Sequence, residues 1–344
     1  MPPMRFPKLR TRLIVILAVL VALPPIGYAL WWQQAARAVE RGVLAWIDQQ
    51  RANGGLADHG GLSVDGFPFT LRAALEQPHL ATRGAEWRGA RLVAEAAPWD
   101  VTHVTLSLPG EQRVTLVQAG QPPLDVTARG GGGGLAVWTM NGTLENLRLS
   151  FTDLTAQALN LPLPIASLDL SAAQPNTPPD TNAATGLTIG VTANGMTLPD
   201  SAPSSLGRDV KRAELSARVL GRLPQPEPVS LSAWSRDGGT VQLDRLALDW
   251  GPLAIALNGT LALDGELQPQ AALTAEIHGA PAALNAVKPM MRPNDAAMAR
   301  TVLTMLSRPT GPGGAPVLTT PVTVQNHSLF LGPLKIASVP RVVW

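Results

Sequence analysis

Residues 241–250 read VQLDRLALDW and residues 253–257 read LAIAL. Apolar side chains stand at every second position, the period of a β-strand with one face off water. Val241 and Leu243 hold one phase; Leu246, Leu248 and Trp250 hold the other. A slip at Asp244-Arg245 is what a β-bulge produces, one extra residue without loss of the apolar face. In the second run Ala254 and Ala256 oppose Leu253, Ile255 and Leu257, so its other face is only weakly polar.

The same period recurs from Leu56 to about Gly279. Phe67, Phe69, Leu71, Ala73 and Leu75 alternate with Pro68, Thr70, Arg72, Ala74 and Glu76. Val104, Leu106 and Leu108 form another set, as do Leu147, Leu149 and Phe151, and Leu273, Ala275 and Ile277. Turn signals separate the runs at Pro109-Gly110, Asn141-Gly142, Asp237-Gly238-Gly239, Asn258-Gly259 and Asp264-Gly265. The two Asn-Gly-Thr-Leu copies, opening at Asn141 and Asn258, fit either corresponding hairpins of a duplicated sheet or chance reuse of a common turn. Gly130 to Gly134 reads as a low-complexity loop. Ala172 to Ala184, AAQPNTPPDTNAA, reads as a long exposed loop or as a linker splitting two sub-sheets.

With few helices outside the strand region, the sheet has to cover itself. The predicted fold is mainly β: a large curled antiparallel sheet, as half-pipe, barrel or sandwich, with a short C-terminal helical insert. Its interior is either a filled core, the first expectation, or an open acyl-chain groove. Phe67, Phe69, Leu71, Leu106, Leu149, Leu253, Ile255 and Leu257 are the expected lining in both cases.

The N-terminus sets the compartment. Leu13 to Trp32, LIVILAVLVALPPIGYALWW, is twenty residues without a charge. As helix that spans roughly the 30 Å hydrocarbon layer of a bilayer. The expected anchor residues are Leu13, Ile14, Val15, Ile16, Leu17, Val19, Leu20, Val21, Leu23, Ile26, Leu30, Trp31 and Trp32. Arg5, Lys8, Arg10 and Arg12 precede them, with no acid before Glu40, which predicts a cytoplasmic tail and an exported remainder. A cleaved signal peptide is the rival reading, and it exports the same domain. Gln33 to Ala52 follows as an amphipathic stalk helix bearing Val39, Val43, Trp46 and Ile47, stopped at Asn53-Gly54-Gly55. The organisation expected is therefore a basic tail (1–12), a membrane helix (13–32), a stalk (33–53), a β-rich domain (54–280), a helical segment (281–309) and closing strands (310–344). In the helical segment a short turn ends at Pro289. A second helix then carries Met298, Val302, Met305 and Leu306.

Composition narrows the functions. Charged residues are 15% of 344, against about 25% in ordinary soluble domains. Setting aside the four tail cations leaves fewer basic than acidic residues, and aromatics are only 4%. That argues against nucleic-acid binding, which needs basic patches and stacking platforms. The chain has no cysteine, which excludes thiol catalysis and thiolate metal sites. Its five histidines, His59, His79, His103, His278 and His327, are scattered without metal-ligand spacing, and no nucleophile elbow or phosphate loop is present. Neither a cofactor nor an enzymatic activity is expected.

Several stretches resemble the bacterial domain-of-unknown-function family 2125. They are Asp65-Gly66-Phe67-Pro68-Phe69, Ala97-Pro98-Trp99-Asp100 and Leu331-Gly332-Pro333-Leu334-Lys335-Ile336, the last followed by Pro340. The Asn258 to Gly279 stretch also resembles a repeat of AsmA-like envelope proteins. That second resemblance implies an inner-membrane-anchored, periplasmic, β-rich protein with a connection to lipid, and no catalytic residues. The first expectation for function is thus a non-enzymatic envelope protein holding lipid chains in its sheet. The alternatives are a scaffold for envelope proteins with a filled core, and then a periplasmic hydrolase.

Overall fold

The computed structural model describes residues 8–82, 84–117, 122–158, 161–199, 206–224, 227–287, 307–308, 317–332 and 334–342. It opens on one helix, α1 (Lys8–Ala52), 45 residues long and continuous through Pro24 and Pro25. The expected membrane and stalk helices are one element. Side chains of residues 8–19 and of Ala22 lie outside the described set, and with them Leu13 to Val19 of the expected anchor; Arg5 lies outside it altogether. Among the described residues no helix is long and apolar enough to cross a membrane.

The C-terminal half of α1 lies on the first strands. Trp32 and Ala36 bury against Leu71, with Ala35, Val39 and Val64 packed around them. Ile47 is buried, and Arg51 Nε donates to the Ala57 carbonyl at 2.6 Å. These positions recur at helical spacing, with Val39 packed against the first strands and Ile47 buried. Trp46 is the exception, turned outward.

Among the described residues twenty-one strands form one antiparallel sheet. In its first part each passage across the sheet is broken once. β1 (Leu56–Asp58) and β2 (Gly61–Asp65) run end to end, as do β3 (Leu71–Glu76) and β4 (His79–Ala81). So do β5 (Ala85–Gly89) and β6 (Arg91–Ala97), β7 (Asp100–Leu108) and β8 (Gln112–Leu116), and β9 (Leu124–Ala128) and β10 (Gly132–Trp138). Unbroken strands follow: β11 (Leu144–Ala158), β12 (Leu161–Ala173), β13 (Thr185–Thr197), β14 (Asp209–Leu220), β15 (Val241–Trp250), β16 (Leu253–Leu263) and β17 (Pro269–His278). After β18 (Ser307–Arg308), the strands β19 (Val317–Gln325), β20 (Ser328–Leu331) and β21 (Leu334–Ser338) close the chain. Two short helices interrupt it, α2 (Pro228–Arg236) and α3 (Ala280–Val287). The second expected helix of the 281–309 segment lies outside the described residues.

Counting each end-to-end pair as one rung, and β18 as a cap on β19, the chain lays down fifteen rungs. Every rung pairs with its neighbour in sequence; β9 and β10 share the two halves of β11. Among the described residues no pairing joins the first rung to the last, so the sheet is open rather than a closed barrel. Nor is it split near residues 172–184: β12 and β13 pair from Ile165 to Ala173, and the Pro-rich stretch is the loop between them.

The breaks align from rung to rung. Gln77 N–H donates to the Ala90 carbonyl at 3.0 Å, Ala90 N–H to Glu111 at 2.9 Å, and Arg129 N–H to Asp153 at 2.9 Å. The line ends at Asp153, which takes φ 53° and sits between the paired Thr152 and Leu154. Register is kept across most of these breaks: the β3–β6 and β4–β5 pairings continue one register, as do the β7–β10 and β8–β9 pairings.

Three local expectations are corrected. Asn258-Gly259 is not a hairpin turn but the middle of β16, opposite the bulge between Leu243 and Leu246. Gly259 holds φ 145° there, and a Cβ would stand 2.3 Å from the Ala272 carbonyl oxygen. The two Asn-Gly-Thr-Leu copies therefore do not correspond, since Asn141-Gly142 is a true turn. The glycine run is not wholly a loop either: Gly132, Gly133 and Gly134 belong to β10.

Candidate functional site

Register places the apolar residues in rows. One row crosses Leu106, Gly134, Leu149, Leu170, Val191, Leu215, Leu246, Leu257 and Ala275. The next crosses Leu108, Gly132, Phe151, Leu168, Ala193, Ala213, Leu248, Ile255, Ile277 and Leu318. A row of the opposite face reads Ser150, Asp169, Thr192, Glu214, Ala247, Ala256, Glu276 and Thr319. The sheet is two-sided, oil on one surface and mostly polar groups on the other.

The apolar surface has little over it. Leu149, Leu170, Val191, Leu215, Ile255 and Leu257 are half-buried, and Leu246 is 40% exposed. A filled core would bury such side chains among six or more neighbours. Among the described residues nothing covers the middle of this face, although Leu108, Ala275 and Leu318 at its flanks are buried. Among the described residues α1 and α2 cover the face in two places. α1 seals it at Val64 and Leu71, which share the face through Ala73, Ala94 and Leu106.

α2 provides the other cover. Pro228 stands in its first turn, where a missing N–H costs nothing. Three residues apart, Leu231 and Trp234 turn to the sheet and are buried. Trp234 Nε1 donates to the Leu220 carbonyl at 2.9 Å, and Ser235 Oγ to the Leu263 carbonyl at 2.8 Å. Beneath the helix is a cavity of about 350 Å³, lined by Val219, Val241, Leu261, Leu263, Pro269, Leu223, Pro224, Leu231 and Trp234. That volume and lining suit an apolar ligand segment. Sequence reading missed α2; its only local signals are Pro228 and the Leu231–Trp234 spacing.

Of the expected lining, Leu106, Leu149, Leu253, Ile255 and Leu257 stand on the apolar face, and Leu71 stands on it beneath α1. Phe67 and Phe69 do not. They lie in the turn before β3, 54% and 72% exposed, because the strand begins only at Leu71. Their alternation is that of a turn with its aromatics outward. Of the expected anchor, Leu20, Val21, Leu23, Ile26, Leu30 and Trp31 are exposed, whereas Trp32 is buried against the sheet.

The polar groups pair with one another. Glu86 accepts from His79 Nε2 at 2.7 Å and from Arg88 at 2.6 Å, and the His79 bond, then Arg88, lowers its carboxyl pKa. These three stand with Arg113 and Asp125 around a shallow polar depression of about 300 Å³. Asp100 accepts from the Thr102 hydroxyl and from His103, which hold its pKa down to about 2. Arg218 donates to both carboxylate oxygens of Asp244, and these bonds raise the Arg218 pKa. Partly exposed pairs of this kind position strands and are screened by solvent. Among the described residues no three His, Asp or Glu side chains converge as metal ligands would.

The model of the family described as an uncharacterized protein conserved in bacteria (DUF2125) matches residues 32–340, and the chain belongs to that family. No curated protein and no solved structure matches it.

Proposed function

Since membership in that family fixes no activity, we propose a role from the surfaces: the protein is a non-enzymatic, membrane-anchored envelope protein whose open sheet shields acyl chains along its apolar face. The observation that carries this is the pair of apolar rows that no described residue roofs over their middle. Adjacent rungs are about 4.8 Å apart, so the fifteen rungs make a strip on the order of 65 Å long. An exposed apolar surface of that extent is a binding surface or an aggregation liability. Its walls offer few free polar groups, which suits the tail of a lipid better than its headgroup. The uncharged Leu13–Trp32 segment behind Lys8, Arg10 and Arg12 supports anchoring in the inner membrane, with the tail cytoplasmic and the sheet exported.

Site-specific photocrosslinking in bacterial envelopes tests this. A photoreactive residue at Leu215 or Leu257 is expected to capture lipid, and one at Thr192 on the opposite face is not. Protein adducts without lipid at Leu215 and Leu257 would instead establish the scaffold reading, which the outer edge of β21, paired with no other described strand, favours.

A further inference from the structure

The hairpins of the sheet turn alternately at its two ends. At one end lie the β2–β3 turn (66–70), the β6–β7 turn (98–99), the β10–β11 turn (139–143) and the connection carrying α2 (221–240). α1 meets the sheet at this same end. The Tyr28 hydroxyl donates to the Pro68 carbonyl, and Trp32 Nε1 to the Thr70 carbonyl at 3.2 Å. The Phe67 ring stands 6.2 Å from Tyr28 and 5.5 Å, edge to face, from Trp32. On the N-terminal side of this contact the helix leaves the sheet, with Leu20, Val21, Leu23 and Ile26 exposed.

The tips at this end are unusual. Among the described residues the four most exposed large apolar side chains are Met140 (87%), Val229 (80%), Phe69 (72%) and Trp99 (70%). All four sit on connections at the end where α1 departs, on four different hairpin connections. Among the described residues the opposite end carries Val117, Leu56 and Leu116, at 53%, 47% and 44%. Isolated exposed apolar residues need no explanation, but an alignment of the most exposed ones along one rim does.

We infer that this rim is a membrane-contact surface: Phe69, Trp99, Met140 and Val229 lie in the interfacial layer of the bilayer that α1 enters. Aromatic and long apolar side chains favour that layer, where a ring or thioether leaves water while the backbone stays hydrated. The occupant is fixed by continuity, because the uncharged helical segment and the rim form one apolar boundary. The rim is also the mouth of the apolar face beneath α2, so a lipid tail would reach the cavity without crossing water. This inference rests on the proposed anchoring and adds the orientation of the sheet on the membrane.

The absence of native cysteine allows a direct test on the full chain. Single cysteines replace Phe69, Trp99, Met140, Val229 or, as control, Val117. Each carries an environment-sensitive fluorophore, in vesicles of phosphatidylethanolamine and phosphatidylglycerol doped with spin-labelled lipid. The four rim sites are expected to show blue-shifted emission and quenching roughly twofold or more above the Val117 site. If the chain floats with the vesicles but the rim sites are quenched no more than Val117, the rim inference is wrong and the anchor stands. If the chain does not float with vesicles, both are wrong.

Discussion

Replacing Leu246 by Ala probes whether the apolar face is roofed. Leu246 is 40% exposed and stands in register between Leu215 and Leu257. The change removes about three carbon groups, worth about 2.4 kcal/mol if wholly buried, at about 0.8 kcal/mol each. With about 60% of the side chain covered, the expected loss is about 1.4 kcal/mol, and an open surface leaves no cavity to add to it. In a filled core the same truncation costs roughly 2–5 kcal/mol. Leu246→Asn sharpens the contrast. On an open face the amide keeps water and the loss stays near that of alanine, whereas beneath a roof an unpaired amide adds roughly 1–3 kcal/mol. The assay is urea unfolding of the full chain in lipid nanodiscs, followed by tryptophan fluorescence. A loss above about 3 kcal/mol for Leu246→Ala, or a further loss of about 2 kcal/mol for asparagine, would refute the open face.

Gly134→Ala is expected to destabilise by about 1–3 kcal/mol in the same assay, because its Cβ would stand 1.8 Å from the Arg148 carbonyl oxygen and force β10 from β11; a neutral result would show that this approach is not required. Gln112, 3% exposed, accepts from Trp87 Nε1 at 3.2 Å and donates to the Arg91 and Pro109 carbonyls. Gln112→Leu should cost about 1–3 kcal/mol through those stranded partners, read as a lower unfolding midpoint. For Asp100 the folded pKa, about 2, lies below its ordinary 3.8, so its contribution to stability is present above about pH 3.8 and lost as pH falls through about 2. Melting temperatures of Asp100→Asn should therefore fall less steeply than those of the native chain between those values, and identical slopes would count against the Thr102–His103 cradle.

The two-residue period located the apolar face because a pleated strand cannot present it otherwise. Leu106, Leu149, Leu253, Ile255 and Leu257 fell on one surface, and the slip at Asp244-Arg245 proved to be a real bulge. The same period misled at Phe67 and Phe69, where a turn happens to alternate. Turn propensity misled at Asn258-Gly259, where packing against β17 overrides it. Gly132 to Gly134 carried no period, since without side chains a strand writes no pattern; their place is set by Phe151 and the β11 backbone. α2 is nine residues long within strand-rich surroundings, too short for a helical repeat to stand out. Whether the face is roofed was not legible at all. Inward residues of an open sheet and of a closed one obey the same alternation, and only the absence of a second layer distinguishes them.

Each rung bonds only to the rungs before and after it in the chain, so the architecture is modular along its length. Deleting or inserting one hairpin between β12 and β17 would shorten or extend the strip by about 10 Å without disturbing the seal at α1. Such local connectivity also lets folding spread outward from any formed hairpin, as in repeat arrays, with little loop entropy to overcome at each step. Length thereby becomes a variable separable from the ends, set by how many pairs of strands the chain carries.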